Sequence, residues 1–385
     1  MRRAECFLLV IFSVFILGLF WQKEAWGAEK EEGIPEISSE YVADIQKYLD
    51  SCLEMKNFSF QELAQNLLSG NFNQALRQIG EAIEDSLFQE IRGNGKLAGQ
   101  ILALGIIGGV FTNFSSAFGK SQISEAGFFV TYLLLYTCLA ASFFTSITVA
   151  AEIVDRSLGF MKVLMPVCFL AAAFAGGSLS AIASYEFTLA AIAAAQWICG
   201  SFLIPVVRMY GLLVMAGHIS REDVLSKLTD LLSQGVSWIL KTLVGVVLGV
   251  HLLQSMVLPY VDSMKTGAVQ KLIGVIPGIG QGADALAQMV IGSGVLIKNT
   301  IGAAGIVVLA ILTVIPVLKL VILMVLYQCT AAILQPICDK RLVSCISDMA
   351  RGHKLLLSVS VSVILLFVIT VGVVCASGNV VYYAG

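Results

Sequence analysis

Arg208, Lys241, Asp284, Lys298 and Lys319 stand inside or at the edges of long apolar runs. Ionisable groups in such surroundings are costly, and they mark polar paths, ion pairs or long stems reaching for the interface. Arg208 and Lys241 lie near the ends of apolar runs, where a flexible stem can carry the charge to water. Lys319 follows Pro316 midway along an apolar segment, a place where the chain could bend out or turn back. Asp284 and Lys298 flank the apolar run 285–297, so they could pair across it or stay solvated. His218, His251 and His353 are far apart in sequence. His251 lies within a span and could relay a proton, although a hydrogen-bonded packing role is the simpler one. HExxH, GxxxxGK[ST], GxSxG and clustered carboxylates are all missing, so neither an enzyme nor a cofactor is expected.

One stretch organises the chain, 265–305. Lys265, Lys271, Asp284 and Lys298 interrupt it, and Gly274, Gly278, Gly280 and Gly282 surround Pro277. Backbone broken in this way cannot face lipid, because its freed N–H and C=O groups would lack partners. It is therefore either an amphipathic connector outside the membrane or a re-entrant element beside a polar path. Pro277, Gly278, Gly280, Gly282, Asp284, Lys298, Asn299 and Lys319 are the candidate conduit or hinge positions. Gly278 to Gly282 resembles a phosphate loop only superficially, since no strand precedes it.

The elements that carry these residues follow from composition. Of 385 residues, 57% are hydrophobic and only 13% charged, and the mean hydropathy is +0.86. That charge content is about half of a soluble domain's, which makes this an integral, all-α polytopic membrane protein whose partner is the lipid bilayer. A net charge of −2 without a basic cluster argues against nucleic acid. The nine cysteines form no disulfide or zinc pattern. Arg2 and Arg3, the apolar run to Trp21 and the small residues Ala25 and Gly27 lay out a signal peptide or signal anchor over 1–28. Residues 29–95 form an exported helical region, with a capping box at Ser59 to Glu62 and a helix from Asn73 that ends at Gly93-Asn94-Gly95.

Residues 96–258 form a first membrane group, 259–305 the connector and 306–385 a second membrane group. Apolar runs begin near Leu97, Phe128, Leu158, Phe187, Val236, Ile306 and Leu355. Phe187 to Gly217 is long for one crossing and is broken at Pro205, so it is a tilted kinked span or two pieces. Gly105/Gly109 and Gly245/Gly249 are GxxxG pairs that permit close helix packing. The positive loop from Lys340 to Lys354 belongs in the cytoplasm and the uncharged tail outside. An exported start and an external tail require an even number of crossings from Leu97 onward, which leaves the count at seven or eight.

The leader, the short exported helices, the Ile276-Pro277-Gly278-Ile279-Gly280 turn, Asp284-Ala285-Leu286 and the stretch Gly292 to Gly302 together resemble the stage III sporulation protein AE family of endospore-forming Firmicutes. The resemblance runs from the leader to the last span. It implies a mother-cell membrane component of the channel, or feeding-tube, complex that joins mother cell and forespore. Implied partners are the other proteins of the stage III operon, including a secretion-type ATPase, and a forespore membrane protein. It implies no catalytic residues. The alternative is a secondary permease or exporter similar to the autoinducer-2 exporter-like family, which also has an amphipathic insertion and a Pro-x-x-Gly turn between late spans; the exported leader and polar N-terminal region fit it less well. A membrane-embedded enzyme is the third class, with no metal or nucleophile constellation behind it.

Overall fold

The computed structural model describes residues 39–52, 60, 72–117, 121–174, 178–219, 225–273 and 280–376. The leader, the capping box apart from Phe60, and Pro277 and Gly278 lie outside them. The described elements are helices, with no strand among them: α1 Ser39–Cys52, α2 Phe72–Ala117, α3 Ser121–Phe174, α4 Ser178–Gln196, α5 Ile204–Gly217, α6 Ser226–Ile273, α7 Gly280–Leu334 and α8 Lys340–Ala376. Six helical stretches among the described residues are long and apolar enough to cross a membrane. The protein is thus an all-α polytopic membrane protein.

Several expected boundaries are absorbed into longer helices. The runs at Phe128 and Leu158 belong to one helix, α3, of 54 residues. It is about 81 Å long at ~1.5 Å per residue, more than twice a hydrocarbon core of ~30 Å. The polar turn at Glu152, Asp155 and Arg156 stays helical, and Arg156 bonds Glu152 on the preceding turn. Staying helical keeps each backbone group paired, whereas a break beside lipid would have to replace those bonds. By the same reasoning α2 does not end at Gly93–Gly95 but continues to Ala117. The expected connector is also mostly helix: α6 extends to Ile273 and α7 begins at Gly280. Phe187 to Gly217 is one helical rod. A π-helical turn, Trp197–Leu203, joins α4 to α5, and Ile204 N–H reaches back to Cys199 O just before Pro205. The wider turn accommodates a residue that has no N–H to give.

α3, α7 and α8 share the core. Phe128 lies under the Arg341 guanidinium at 3.5 Å, Phe143 meets His353 edge-on at 5.4 Å, and Phe160 stacks on Phe367 at 5.7 Å. Residue numbers rise together along the two helices, so α3 and α8 run the same way. α7 runs against α8: Gly302 lies under Val371 and Cys375, and Tyr327 stacks on His353 at 4.7 Å. α1 docks about two-thirds of the way along α3, where Tyr48 donates to Arg156 O at 2.9 Å and its ring lies 6.2 Å from Phe160. Between helices in lipid the gain comes from close packing rather than from removing apolar area from water, so small residues at crossings matter.

The first glycine pair shows such a crossing. A Cβ on Gly105 would stand 2.6 Å from Leu334 Cδ1, and one on Gly109 would stand 2.7 Å from the carbonyl oxygen of Ile337. Cys338 Sγ donates to Gly105 O at 3.0 Å, and Asn113 Nδ2 donates to Ile337 O at 3.0 Å, which ties the α7–α8 turn to α2. Gly245 and Gly249 differ: a Cβ on either would meet no neighbouring element within 4 Å among the described residues. The second pair therefore forms no packing seam there.

Candidate functional site: a polar cleft among apolar helices

Of the residues singled out from the sequence, Lys298 and Lys319 can be placed, and they do not come together. Pro277 and Gly278 lie outside the described residues, and for Gly280, Gly282 and Asp284 only the placement at the start of α7 is described. Lys298 and Lys319 are both on α7, about 31 Å apart along its axis. Lys298 is completely buried, with Asn299 half-buried beside it. Its carbonyl oxygen accepts from Cys375 Sγ on α8 at 3.8 Å. Lys319 is half-buried and opens onto a cleft.

That cleft, of about 430 Å³, lies between α2, α3 and α7. α2 contributes Asn94, Leu97 and Gln100; α3 contributes Thr137, Cys138, Ala141, Ser142 and Thr145; α7 contributes Lys319 and Leu323. The α3 residues recur at helical spacing and so present one face. Thr137 Oγ1 donates to Leu134 O at 2.7 Å and Thr145 Oγ1 to Ala141 O at 3.0 Å. Each hydroxyl thereby spends its proton on its own helix and keeps its lone pairs for a visitor. Lys319 and the carboxamides of Asn94 and Gln100 supply the donors. Sequence reasoning found Lys319 but not its surroundings. Thr137, Ser142 and Thr145 were the available signal, a polar repeat inside an apolar run.

Two further polar groupings were missed. Asp348 on α8 faces His218 Nε2 at 3.4 Å and Arg351 at 3.4 Å, and Arg351 reaches Asp230 on α6 at 3.2 Å. Tyr210 on α5 donates to Asp348 O at 3.1 Å. The grouping links α5, α6 and α8, and its members lie far apart in sequence. Deeper in, His353 is fully buried between Phe143 and Tyr327. Its Nδ1 donates to Met349 O at 2.8 Å, while Nε2 has no hydrogen-bond partner among the described residues. His251, also buried, lies 3.1 Å from Thr370 Oγ1 and 3.3 Å from Gln254 Oε1, the hydrogen-bonded packing arrangement anticipated for it. Among the described residues, no group of three or more His, Cys, Asp or Glu could hold a metal ion.

The family model for stage III sporulation protein AE matches residues 58–378. The chain belongs to this family. It is also similar to stage III sporulation protein AE of Bacillus subtilis (strain 168), 24% identical over 300 residues that cover 78% of this chain and 75% of that protein. No solved structure matches. The cleft, the Asp348 grouping and Lys298 all fall inside the stretch matched by the sporulation family, whereas α1 precedes it.

Proposed function

We propose that this membrane protein of the stage III sporulation family is a component of the channel complex between mother cell and forespore, and that it scaffolds a transmembrane conduit whose bore lies between chains. The observation carrying the second part is the filled axis of the α3–α7–α8 core, where Phe160 stacks on Phe367 and Tyr327 on His353. A path down that axis would have to displace stacked aromatic rings. The chain would sit in the mother-cell membrane around the forespore, with its N-terminal region outside the cytoplasm. Its partners would be the other stage III operon proteins, a secretion-type ATPase among them, and a forespore membrane protein. It would work without catalysis of its own; the polar grouping at Asp348, among the described residues, holds α5, α6 and α8 together.

The test is an in-frame deletion in the native host, followed by forespore volume and late forespore gene expression after engulfment. Collapsed, silent forespores that recover when this gene is restored are the expected result. Normal spores from the deletion strain would overturn the assignment and return attention to substrate export.

A further inference from the structure

We propose that the cleft between α2, α3 and α7 is a binding site for the headgroup of an anionic, hydroxyl-bearing phospholipid, with Lys319 on its phosphate. The inference stands apart from the channel reading, since a lipid site would serve any role this membrane protein has. Its first support is position. Across the α2–α3 contact, Gly108 lies against Thr131 and Phe111 against Gly127, so the two helices are antiparallel. On the Gly108 side of the cleft they expose a band of large apolar side chains, including Ile107, Phe111, Val130, Leu133 and Leu134. On the other side they expose Arg92 on α2 and Glu152 and Asp155 on α3, while the exposed Lys96 stands at the level of the cleft without lining it. The cleft thus lies at the boundary between an apolar band and a charged band, the depth at which a bilayer presents its headgroups.

Chemistry and size agree with that position. A volume of about 430 Å³ falls within the roughly 300–1,000 Å³ typical of ligand pockets. The ammonium of Lys319 and the amide N–H groups of Asn94 and Gln100 donate to phosphate oxygens. Thr137 and Thr145, their protons already committed to backbone carbonyls, offer acceptors to headgroup hydroxyls. Donors for a phosphate together with acceptors for a polyol match a phosphoglycerol headgroup better than a choline one. Acyl chains would leave the cleft over Leu133 and Leu134 into the apolar band.

The experiment uses the full chain purified in a neutral detergent, with thermal unfolding followed while lipid is added. Dioleoyl phosphatidylglycerol, dioleoyl phosphatidylcholine and inorganic phosphate are compared on the wild type, Lys319→Gln and Lys96→Gln. Phosphatidylglycerol should raise the melting temperature of the wild type and of Lys96→Gln, and Lys319→Gln should need about 10-fold more of it for the same shift. Equal responses from wild type and Lys319→Gln would overturn the site, as would an equal effect of phosphatidylcholine. A shift produced by inorganic phosphate alone, and lost in Lys319→Gln, would overturn the lipid assignment in favour of a soluble phosphate ligand. If Lys319→Gln fails to fold, Gln100→Leu at the rim replaces it, with the same outcomes read.

Discussion

Lys298 and Lys319 occupy the same helix and differ in almost everything around them. Lys298 has no exposed surface and lies beside the α8 segment that carries Val371 and Cys375. Lys319 lines an open cleft together with the carboxamides of Asn94 and Gln100 and the hydroxyls of Thr137, Ser142 and Thr145. A long amine in an apolar helix is therefore not one kind of feature. Sealed between helices, it is a packing element whose polar end must be satisfied inside the protein; in a cleft, it also borders space that a ligand could enter. The neighbours decide which, and they come from other helices.

The sharpest way to break this contrast uses native cysteines. Cys138 lines the Lys319 cleft and Cys168 is fully buried in the core. A water-soluble maleimide applied to the folded protein, read by peptide mass spectrometry, should modify Cys138 at least ~100-fold faster, because reaching Cys168 needs a local opening that costs about 3 kcal/mol or more. Comparable rates would mean that the core is not sealed, and the distinction between the two lysines would fall with it.

The two glycine pairs give the next largest contrast. Gly109→Leu drives a side chain into the Ile337 carbonyl, and backbone cannot move aside as a flexible side-chain tip can. Overpacking of this kind should cost about 3 kcal/mol. Gly105→Leu meets only the end of Leu334, which can shift, and should cost less. Gly245→Leu enters open space and should stay within about 0.5 kcal/mol. Thermal melting of the three variants in detergent checks the order; a Gly245→Leu as damaged as Gly109→Leu would refute it.

The same logic explains how far the sequence could be read. Composition and hydrophobic runs suffice for an all-α membrane protein, because a chain this apolar has no other way to pair its backbone groups. The ends of helices were less legible. Gly93, Gly95 and the Glu152–Arg156 turn look like punctuation, since glycine and charge disfavour a buried helix locally. In the structure the helices run through them, because a solvent-facing charge or an uncrowded glycine costs less than an unpaired backbone. The two GxxxG pairs read identically in sequence, and only the presence of the α7–α8 turn against one of them separates them. Lys319 was visible as an oddity, but most of the cleft is made by residues 174 to 225 positions earlier in the chain, and no local pattern joins those.

Cys338 tests the smallest part of the contrast, the turn that closes the first glycine seam. Its thiol donates to Gly105 O, and a thiolate there would turn a donor into an anion facing a carbonyl oxygen. Burial first, and then the neighbouring Asp339 carboxylate, push this thiol above its ordinary pKa. A raised pKa means that the folded protein holds the proton where the unfolded chain has begun to lose it. The contribution to stability is therefore complete below the free-thiol value of ~8.5 and fades as pH rises through the folded value. Two results should follow. Alkylation of Cys338 should still be accelerating at a pH where a free cysteine peptide has begun to level off, and wild type should lose more of its melting temperature than Cys338→Ser between pH 7 and pH 9.5. Serine keeps a donor for Gly105 O but does not titrate in this range, so equal losses would show that the seam does not depend on the proton of the thiol.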